Sequence, residues 1–185
     1  MKVQLLQSAV TAQSNVTSQY LTSYVINHRL AIDAGCIGFV GEPQQQARIK
    51  HILLSHTHLD HIASLPIFLE NVYDAQQDCV TIYCSEAVEH SLREDIFNNR
   101  VWPDFLALSP KDAPFLKLHR IVSGQPLEID GLHITPVAVH HVVPTMGFVI
   151  SDDDSSIVIV SDTGPTAEIW QIANRTPHLK AVFLE

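Results

Sequence analysis

The sequence has no apolar run that approaches the roughly 20 residues needed to cross a membrane. Residues 1–20 are rich in serine, threonine and glutamine, without the basic start and apolar middle of a signal peptide. The cysteine spacing fits no zinc knuckle, since the chain has only three cysteines: Cys36, Cys79 and Cys84. Such cysteines fit small buried residues or free thiols. We therefore expect a cytoplasmic protein with no membrane partner.

Positive charge is also scarce. The chain has 11 Lys and Arg against 20 Asp and Glu, which gives a formal net charge of -9. This balance argues against nucleic acid as a partner that binds through broad phosphate neutralisation. A small anionic substrate is still compatible, because bound metal ions would be the largest local charges. The length of 185 residues predicts a single domain spanning 1–185.

One short stretch, residues 55–61, is dense in metal-ligand chemistry and reads Ser-His-Thr-His-Leu-Asp-His. Residues 52–54 before it are apolar and predict a buried strand, whereas residues 62–69 after it predict the start of a helix. A lone histidine beside a strand is usually packed or solvated, but this stretch holds four candidate ligands. These ligands are His56, His58, Asp60 and His61.

Imidazole and carboxylate together suit zinc and its first-row neighbours. His56 and His58 lie two positions apart, so in an extended segment they face the same side. Asp60 and His61 are adjacent and could serve a second ion close by. The spacing therefore predicts a two-metal site of the kind that binds both attacking and leaving oxygens.

Two later apolar runs also end in ligand chemistry. Val137–Val139 leads to His140 and His141, and Ile157–Val160 leads to Asp162 before a Thr-Gly turn. Consecutive histidines on an extended chain point to opposite faces, so at most one enters a site, and local sequence does not choose between them. Asp162 could place one oxygen on each of two metals, although a simple Asp turn is the better explanation of this residue taken alone. If these strand ends converge, the ligands assemble at one edge.

The pattern of apolar residues and turns predicts an α+β protein. We expect hairpins around Asn27-His28 and Asp130-Gly131, whose residue types favour tight turns. We predict loops over residues 8–19, 41–46 and 98–114. We predict helices over residues 65–75, 85–97 and 166–175. The predicted strands are 3–6, 21–26, 29–33, 52–54, 80–84, 115–122, 127–129, 132–139, 147–151, 156–161 and 181–185.

These motifs resemble those of the metallo-β-lactamase superfamily. The resemblance is carried by the His-Thr-His-Leu-Asp-His run at 56–61, by His141, and by the Ser-Asp-Thr-Gly run at 161–164. Within the superfamily, the chain looks most similar to the class II cyclic-nucleotide phosphodiesterases. The segments that carry this closer resemblance are Leu21–Tyr24, Ala31–Gly35, Ser64–Pro66, Leu69–Asn71, Phe97–Phe105 and His141–Phe148.

The resemblance implies a metallo-β-lactamase-like αββα sandwich that holds two zinc ions. The implied ligands are His56, His58 and His141 for the first ion, Asp60 and His61 for the second, and Asp162 for both. His141 is preferred over His140 because its distance along the sequence from Gly147 matches that of the ligand histidine in the family. Asp33 would be a supporting residue and not a ligand.

The family usually supplies a last histidine to the second ion, from a loop beyond a strand such as Ala181–Glu185. This sequence stops at Glu185. We therefore expect a sandwich that is incomplete at its C-terminus, either as a fragment or as a shortened protein with a weak second site. Exposed strand edges would favour a homodimer.

The resemblance implies hydrolysis of 3′,5′-cyclic nucleotides to 5′-monophosphates by a metal-bound hydroxide, with Asp60 and Asp162 as catalytic residues. Asp60 or His140 would orient the nucleophile or handle the proton, and the sequence does not choose between them. One alternative is another hydrolase of the same fold, acting on RNA or on an ester or thioester. The other is a non-catalytic metal-binding domain, which the absent histidine favours.

Overall fold

The computed structural model describes residues 1–8, 20–74 and 78–185. Residues 9–19 of the loop predicted over 8–19, and Ala75 at the end of the helix predicted over 65–75, lie outside these residues. The strands of the first sheet are β1 (Val3–Leu5), β2 (Tyr24–Ile26), β3 (Leu30–Ile32), β4 (His51–Leu53), β5 (Val80–Cys84) and β6 (Leu116–Arg120). The strands of the second sheet are β7 (Leu127–Ile129), β8 (Leu132–Val139), β9 (Thr145–Ser151), β10 (Ser156–Ile159) and β11 (Leu179–Phe183).

The helices are short, and none in the described ranges is long and apolar enough to span a membrane. They are α1 (Pro43–Gln46), α2 (Leu59–Ile62), α3 (Leu65–Val72), α4 (Glu86–Ser91), α5 (Phe105–Leu108) and α6 (Glu168–Ala173). Ser85 caps α4, because its side chain accepts a hydrogen bond from the Val88 amide. The chain continues from α4 as a π-helix, Leu92–Ile96.

The first sheet has the order β1-β2-β3-β4-β5-β6. The pairs β1–β2 and β2–β3 are antiparallel, and the pairs β3–β4, β4–β5 and β5–β6 are parallel. The predicted hairpin between β2 and β3 is confirmed, with Asn27 and His28 at φ 49° and 63°. Strands β2 and β3 are buried throughout, as expected for strands covered on both faces.

The second sheet has the order β11-β10-β9-β8-β7. Strands β7 to β10 are antiparallel, and β11 lies parallel to β10. The predicted turn between β7 and β8 is confirmed, since Asp130 and Gly131 have φ 49° and 77°. Positive φ at both residues is what a two-residue hairpin of this kind requires.

Apolar side chains form three clusters that separate four layers. The first sheet packs one face on α3 and α4, through residues such as Phe68 and Val88. Its other face meets the second sheet, with Ile32 and Phe148 in the shared cluster. The second sheet then covers α6 through Ile169. The order is helix, sheet, sheet, helix, so the αββα sandwich is confirmed.

Two predicted loops contain helices that the sequence did not reveal. Helix α1 lies within residues 41–46, and α5 lies within 98–114, where the Asp104 side chain accepts hydrogen bonds from Leu106 N and Ala107 N. Each helix has only one turn, which is too short to display helical periodicity. The last predicted helix is also shorter than expected, ending at Ala173 rather than Arg175.

The strand directions bring the candidate ligands to one edge. Strands β8 and β10 run the same way because each is antiparallel to β9, so the residues after both emerge on the same side. The two sheets are joined there, because the Met146 amide at β9 donates to the Ser55 carbonyl just beyond β4, at 3.1 Å. The sandwich therefore opens at this edge onto residues from both sheets.

Candidate metal centre

The ligand-rich segment after β4 is held by backbone hydrogen bonds to the loops around β2 and β3. Thr22 N donates to the Asp60 carbonyl at 2.8 Å, and Ala34 N donates to the His61 carbonyl at 2.7 Å. Gly35 lies directly beneath this segment, and an added Cβ would overlap the Asp60 carbonyl oxygen. The close approach requires glycine and fixes the turn that carries Asp60 and His61.

The first candidate group contains three imidazoles and one carboxylate. His58 Nδ1 lies 3.1 Å from His56 Nε2 and 3.2 Å from His141 Nε2. Asp162 Oδ2 lies 3.5 Å from His141 Nε2 and 3.9 Å from His56 Nε2. One ligand atom from each residue falls within 4.8 Å of all the others. The structure thus brings together residues from three strand ends, as the sequence predicted for this edge.

The second candidate group shares Asp162 with the first. His61 Nε2 lies 3.7 Å from Asp60 Oδ2 and 3.7 Å from Asp162 Oδ1. The two carboxylate oxygens of Asp162 therefore face different groups.

His140 and His141 separate as expected for neighbours on an extended chain. The His141 side chain reaches the first group, whereas His140 lies against the turn that follows Asp162. A Cβ added to Gly164 would lie 3.0 Å from His140 Nδ1. The His140 carbonyl also accepts a hydrogen bond from Gly164 N at 2.6 Å.

Sequence reasoning missed Glu185 near the second group. Its Oε2 lies 3.9 Å from His61 Nε2, and its Oε1 accepts a hydrogen bond from Thr22 Oγ1 at 2.5 Å. The signal that could have revealed it is the strand pattern. Strand β11 is parallel to β10, so Glu185 follows its strand at the same edge as Asp162.

Asp33 supports both groups from beneath. Its Oδ2 accepts a hydrogen bond from His61 Nδ1 at 2.7 Å and another from Ser55 Oγ at 2.7 Å. Ser55 Oγ in turn lies 2.9 Å from His56 Nδ1. Such outer partners orient metal-binding imidazoles and make them more basic.

Two residues at the site have strained backbones. Asp33 and Ser161 adopt φ values of 59° and 63°, a region that non-glycine residues occupy sparsely. Backbone strain of this kind persists where the surrounding structure holds it, and it clusters at functional sites. Here the strained residues are the support of His61 and the residue just before Asp162.

The electrostatics of the two inner histidines differ. Burial lowers the pKa of His56 to about 4, and the neighbouring His61 imidazole acts in the same direction. Burial alone would also lower the pKa of His61, but the hydrogen bond and charge of Asp33 outweigh it and raise that pKa to about 9. Without metal, the Asp33 carboxylate therefore favours a charged His61.

These residues fit divalent zinc-type ions. His61 Nδ1 donates to Asp33, and His61 Nε2 is buried with no hydrogen-bond partner among the described residues. A buried polar atom without a partner carries a free-energy cost that coordination to a metal would remove. Imidazole nitrogens and carboxylate oxygens are the donors that zinc prefers.

Comparison with known families agrees with the fold and the motifs. Residues 28–185 match the family described as Beta-lactamase superfamily domain. The chain belongs to this superfamily. The match covers all six predicted ligand positions, and it confirms the resemblance found in the sequence motifs. No curated protein sequence matches the chain.

Solved structures of this superfamily share the fold. Unliganded yeast PDE1 is 22% identical with a TM-score of 0.65, covering 75% of this chain and 45% of that chain. The metallo-beta-lactamase fold protein YhfI from Bacillus subtilis is 18% identical with a TM-score of 0.63, covering 92% and 66%. Zn²⁺-bound PqqB from Methylobacterium extorquens is 17% identical with a TM-score of 0.61, covering 97% and 71%. The chain thus spans less than half of the yeast protein.

Proposed function

We propose that this protein is a metal-dependent hydrolase that converts 3′,5′-cyclic nucleotides into 5′-monophosphates. The observation that carries the proposal is Asp162, whose two oxygens face two separate groups of candidate ligands. Paired metal sites of this kind suit the hydrolysis of phosphate esters. The segments that resemble class II phosphodiesterases, together with the fold shared with yeast PDE1, favour a cyclic nucleotide as the substrate.

In this proposal each ligand group would hold one zinc ion. His56, His58 and His141 would hold the first and Asp60 and His61 the second, with Asp162 as a ligand common to both groups. Bound zinc would supply a water of lowered pKa and neutralise charge on the phosphoryl oxygens. Glu185 is not among the residues whose ligand atoms lie within 4.8 Å of one another in the second group, so we give it no ligand role.

Asp60 is the residue best placed to handle the proton. Its side chain is 49% exposed, and its Oδ2 lies 3.7 Å from His61 Nε2. His140 packs against Gly164 instead. We therefore favour the Asp60 carboxylate as the acceptor of the proton from the attacking water. As the water oxygen bonds to phosphorus, the bond between phosphorus and the 3′ oxygen breaks. The 3′ oxygen takes up a proton from solvent, and Asp60 releases the proton that it accepted to solvent.

A cavity beside the second group supports a small-molecule substrate. It has a volume of about 390 Å³ and is lined by Tyr20, Tyr24, Asp60 and Asp162, among others. Cavities of roughly 300–1,000 Å³ typically hold small ligands. Burial, with the neighbouring Glu185 carboxylate, raises the pKa of Tyr24 to about 12. This residue would therefore offer a neutral hydroxyl to the substrate.

Substitution of Asp162 tests the proposal most directly at one residue. Asp162→Ala should nearly abolish hydrolysis of cyclic AMP, because it removes one oxygen from each ligand group. Formation of 5′-AMP by zinc-loaded protein would be followed by chromatography, with zinc content measured on the same samples. Asp153→Ala, in an exposed turn, is the control and should leave both unchanged. Near-normal turnover by Asp162→Ala would refute the bridging role.

Two rival functions give different results in the same assays. A hydrolase of the RNA-processing type would cleave a tRNA precursor and leave cyclic AMP intact, although the charge of -9 counts against an RNA substrate. A non-catalytic metal-binding domain would hold one zinc, or a second one weakly, and would hydrolyse neither substrate.

We also propose that residues 1–185 act as one domain in a reducing compartment such as the cytoplasm. The three packed clusters join both sheets and their helices into consecutive layers. Cys36, Cys79 and Cys84 are all free thiols, which is the usual state of cysteine in such compartments.

A further inference from the structure

Ser55 lies between Asp33 and His56 at the base of the first ligand group. It is fully buried, and its amide donates to Asp33 Oδ1 at 2.7 Å. Its hydroxyl donates to Asp33 Oδ2 at 2.7 Å and lies 2.9 Å from His56 Nδ1. The Met146 amide binds the Ser55 carbonyl, so the residue is fixed from both sheets.

The number of protons available to Asp33, Ser55 and His56 determines which nitrogen of His56 keeps its lone pair for a metal. A hydroxyl has one proton, and Ser55 gives it to the Asp33 carboxylate. Its oxygen can then only accept from His56, so Nδ1 must carry the imidazole proton. The lone pair of His56 is therefore on Nε2, the atom that faces His58 and Asp162.

His61 reaches the same carboxylate without a relay. Its Nδ1 donates directly to Asp33 Oδ2, which leaves Nε2 directed at Asp60 and Asp162. Asp33 Oδ2 is thus linked by hydrogen bonds to one histidine of each ligand group. The link to His61 is direct, and the link to His56 passes through the Ser55 hydroxyl.

We propose that Ser55 is a positioning residue that links His56 to the Asp33 carboxylate through two hydrogen bonds. We call this link the relay. Through it, one carboxylate orients an imidazole in each ligand group. The proposal deepens the metal site on which the proposed function rests. It predicts an ordered pattern of effects. Loss of the Ser55 hydroxyl weakens the first group alone, whereas loss of the Asp33 carboxylate weakens both.

Zinc affinity measured by competition with a chromophoric chelator tests this pattern. Ser55→Ala should weaken the first zinc about 10–100-fold, the usual effect of removing an outer partner of a ligand, and should leave the second unchanged. Asp33→Asn should weaken both by a similar factor. Ser55→Thr keeps the hydroxyl and should restore the first affinity.

Ser64→Ala is the matched control. Ser64 is as fully buried as Ser55, and its hydroxyl donates to the Ala34 carbonyl at 2.7 Å and accepts from Gly38 N at 2.9 Å. None of its hydrogen bonds in the described residues reaches a candidate ligand side chain. Its substitution should lower stability without changing either zinc affinity. Equal zinc affinities for Ser55→Ala and Ser64→Ala would overturn the relay, as would an equal loss at both sites in Ser55→Ala.

A second readout needs neither metal nor activity. Long-range ¹H–¹⁵N spectra of the metal-free protein at neutral pH report which nitrogen of each neutral imidazole carries the proton. His56 should carry it on Nδ1 in the parent protein and lose that preference in Ser55→Ala but not in Ser64→Ala. A His56 proton on Nε2 in the parent would refute the relay. A parent that binds zinc but leaves cyclic AMP intact would refute the proposed function and leave the relay standing.

Discussion

Gly35 marks the closest approach between the β2–β3 region and the ligand-bearing turn. A Cβ added there would overlap the Asp60 carbonyl and lie 2.7 Å from both the backbone nitrogen and the backbone oxygen of Thr22. Backbone atoms cannot move aside as a flexible side chain does. Glycine at this position is therefore a requirement of packing, and its φ is not in the left-handed region.

Gly35→Ala should destabilise the fold by about 1–3 kcal/mol, the usual cost of overpacking, and should weaken the second zinc by displacing Asp60. Urea denaturation and zinc titration would measure both effects. Gly124→Ala is the control, because Gly124 has φ +76° and no neighbours within 4 Å of an added Cβ. It should cost only about 1 kcal/mol through backbone strain. Equal losses of stability in Gly35→Ala and Gly124→Ala, with the zinc affinity of Gly35→Ala unchanged, would contradict the packing requirement at Gly35.

Single residues differ in how far the sequence reveals them. Histidine and aspartate carry ligand chemistry in their side chains, so a dense motif and two strand ends were enough to select candidates that the structure brings together. The choice of His141 over His140 came from the family resemblance. Serine and glutamate have many ordinary uses. The importance of Ser55 depends on its contact with Asp33, and that of Glu185 on the alignment of β11 with β10. Both depend on tertiary structure.

Helix α4 and strand β6 are joined by an ion network around Glu89. Arg120 Nε donates to Glu89 Oε2 at 2.7 Å, and Arg93 Nε donates to Oε1 at 3.0 Å. Arg120 Nη1 also reaches Glu86 Oε1 at 2.9 Å. The hydrogen bond from Arg120 holds the pKa of Glu89 below its usual value, since it outweighs burial and is reinforced by Arg93.

This network predicts an acid-dependent loss of stability. Because the folded pKa of Glu89 is lowered, its contribution is fully present above the ordinary value of 4.5 and is lost as pH falls through the folded value. Glu89→Gln should therefore cost about 0.5–1 kcal/mol at pH 7, with the difference from the parent shrinking in acid. Glu86→Gln is the control, because its side chain is 79% exposed. A cost for Glu89→Gln that is independent of pH would contradict the ion-pair origin.

Helices and strands were predicted well where the periodicity of apolar residues agrees with the turn or capping residues at their ends. The Asp-Gly turn located the β7–β8 hairpin, and Ser85 followed by acidic residues located the start of α4. The one-turn helices α1 and α5 were missed because they offer too few residues to show a period. The change from α4 to a π-helix at Leu92 has no local signal that we can identify.

At the scale of the whole molecule, two sheets expose strand edges. In the described part of the chain, β11 pairs with β10 on one side and ends the second sheet. Val182 on this strand is 42% exposed. An apolar strand with unpaired backbone groups is a template for pairing with another chain. The homodimer expected from the sequence stays a prediction.

Light scattering over a range of concentrations tests that prediction. The parent should show mass above that of one 20.6 kDa chain, increasing with concentration. Val182→Lys should shift it toward monomer, because charged residues block edge pairing. Leu108→Lys, exposed outside the sheets, is the control and should not. A parent that stays monomeric at high concentration would contradict self-association.

The layer order of the whole molecule was recognised through the family resemblance. Strand and helix patterns alone gave an α+β protein, because they do not specify which face of each sheet meets which layer. Clusters such as that around Ile32 and Phe148 settle this, since they join residues far apart in sequence. The sequence also did not choose between His140 and His141, which depends on how β8 meets the turn after β10.

We propose that this chain uses paired zinc ions to hydrolyse a cyclic phosphodiester. The most direct test is ³¹P NMR of cyclic AMP incubated with protein whose zinc content has been measured. We predict that protein with two zinc ions converts the cyclic phosphodiester signal into that of 5′-AMP, and that chelated protein does not. An unchanged cyclic AMP signal in the presence of protein carrying two zinc ions would contradict the account.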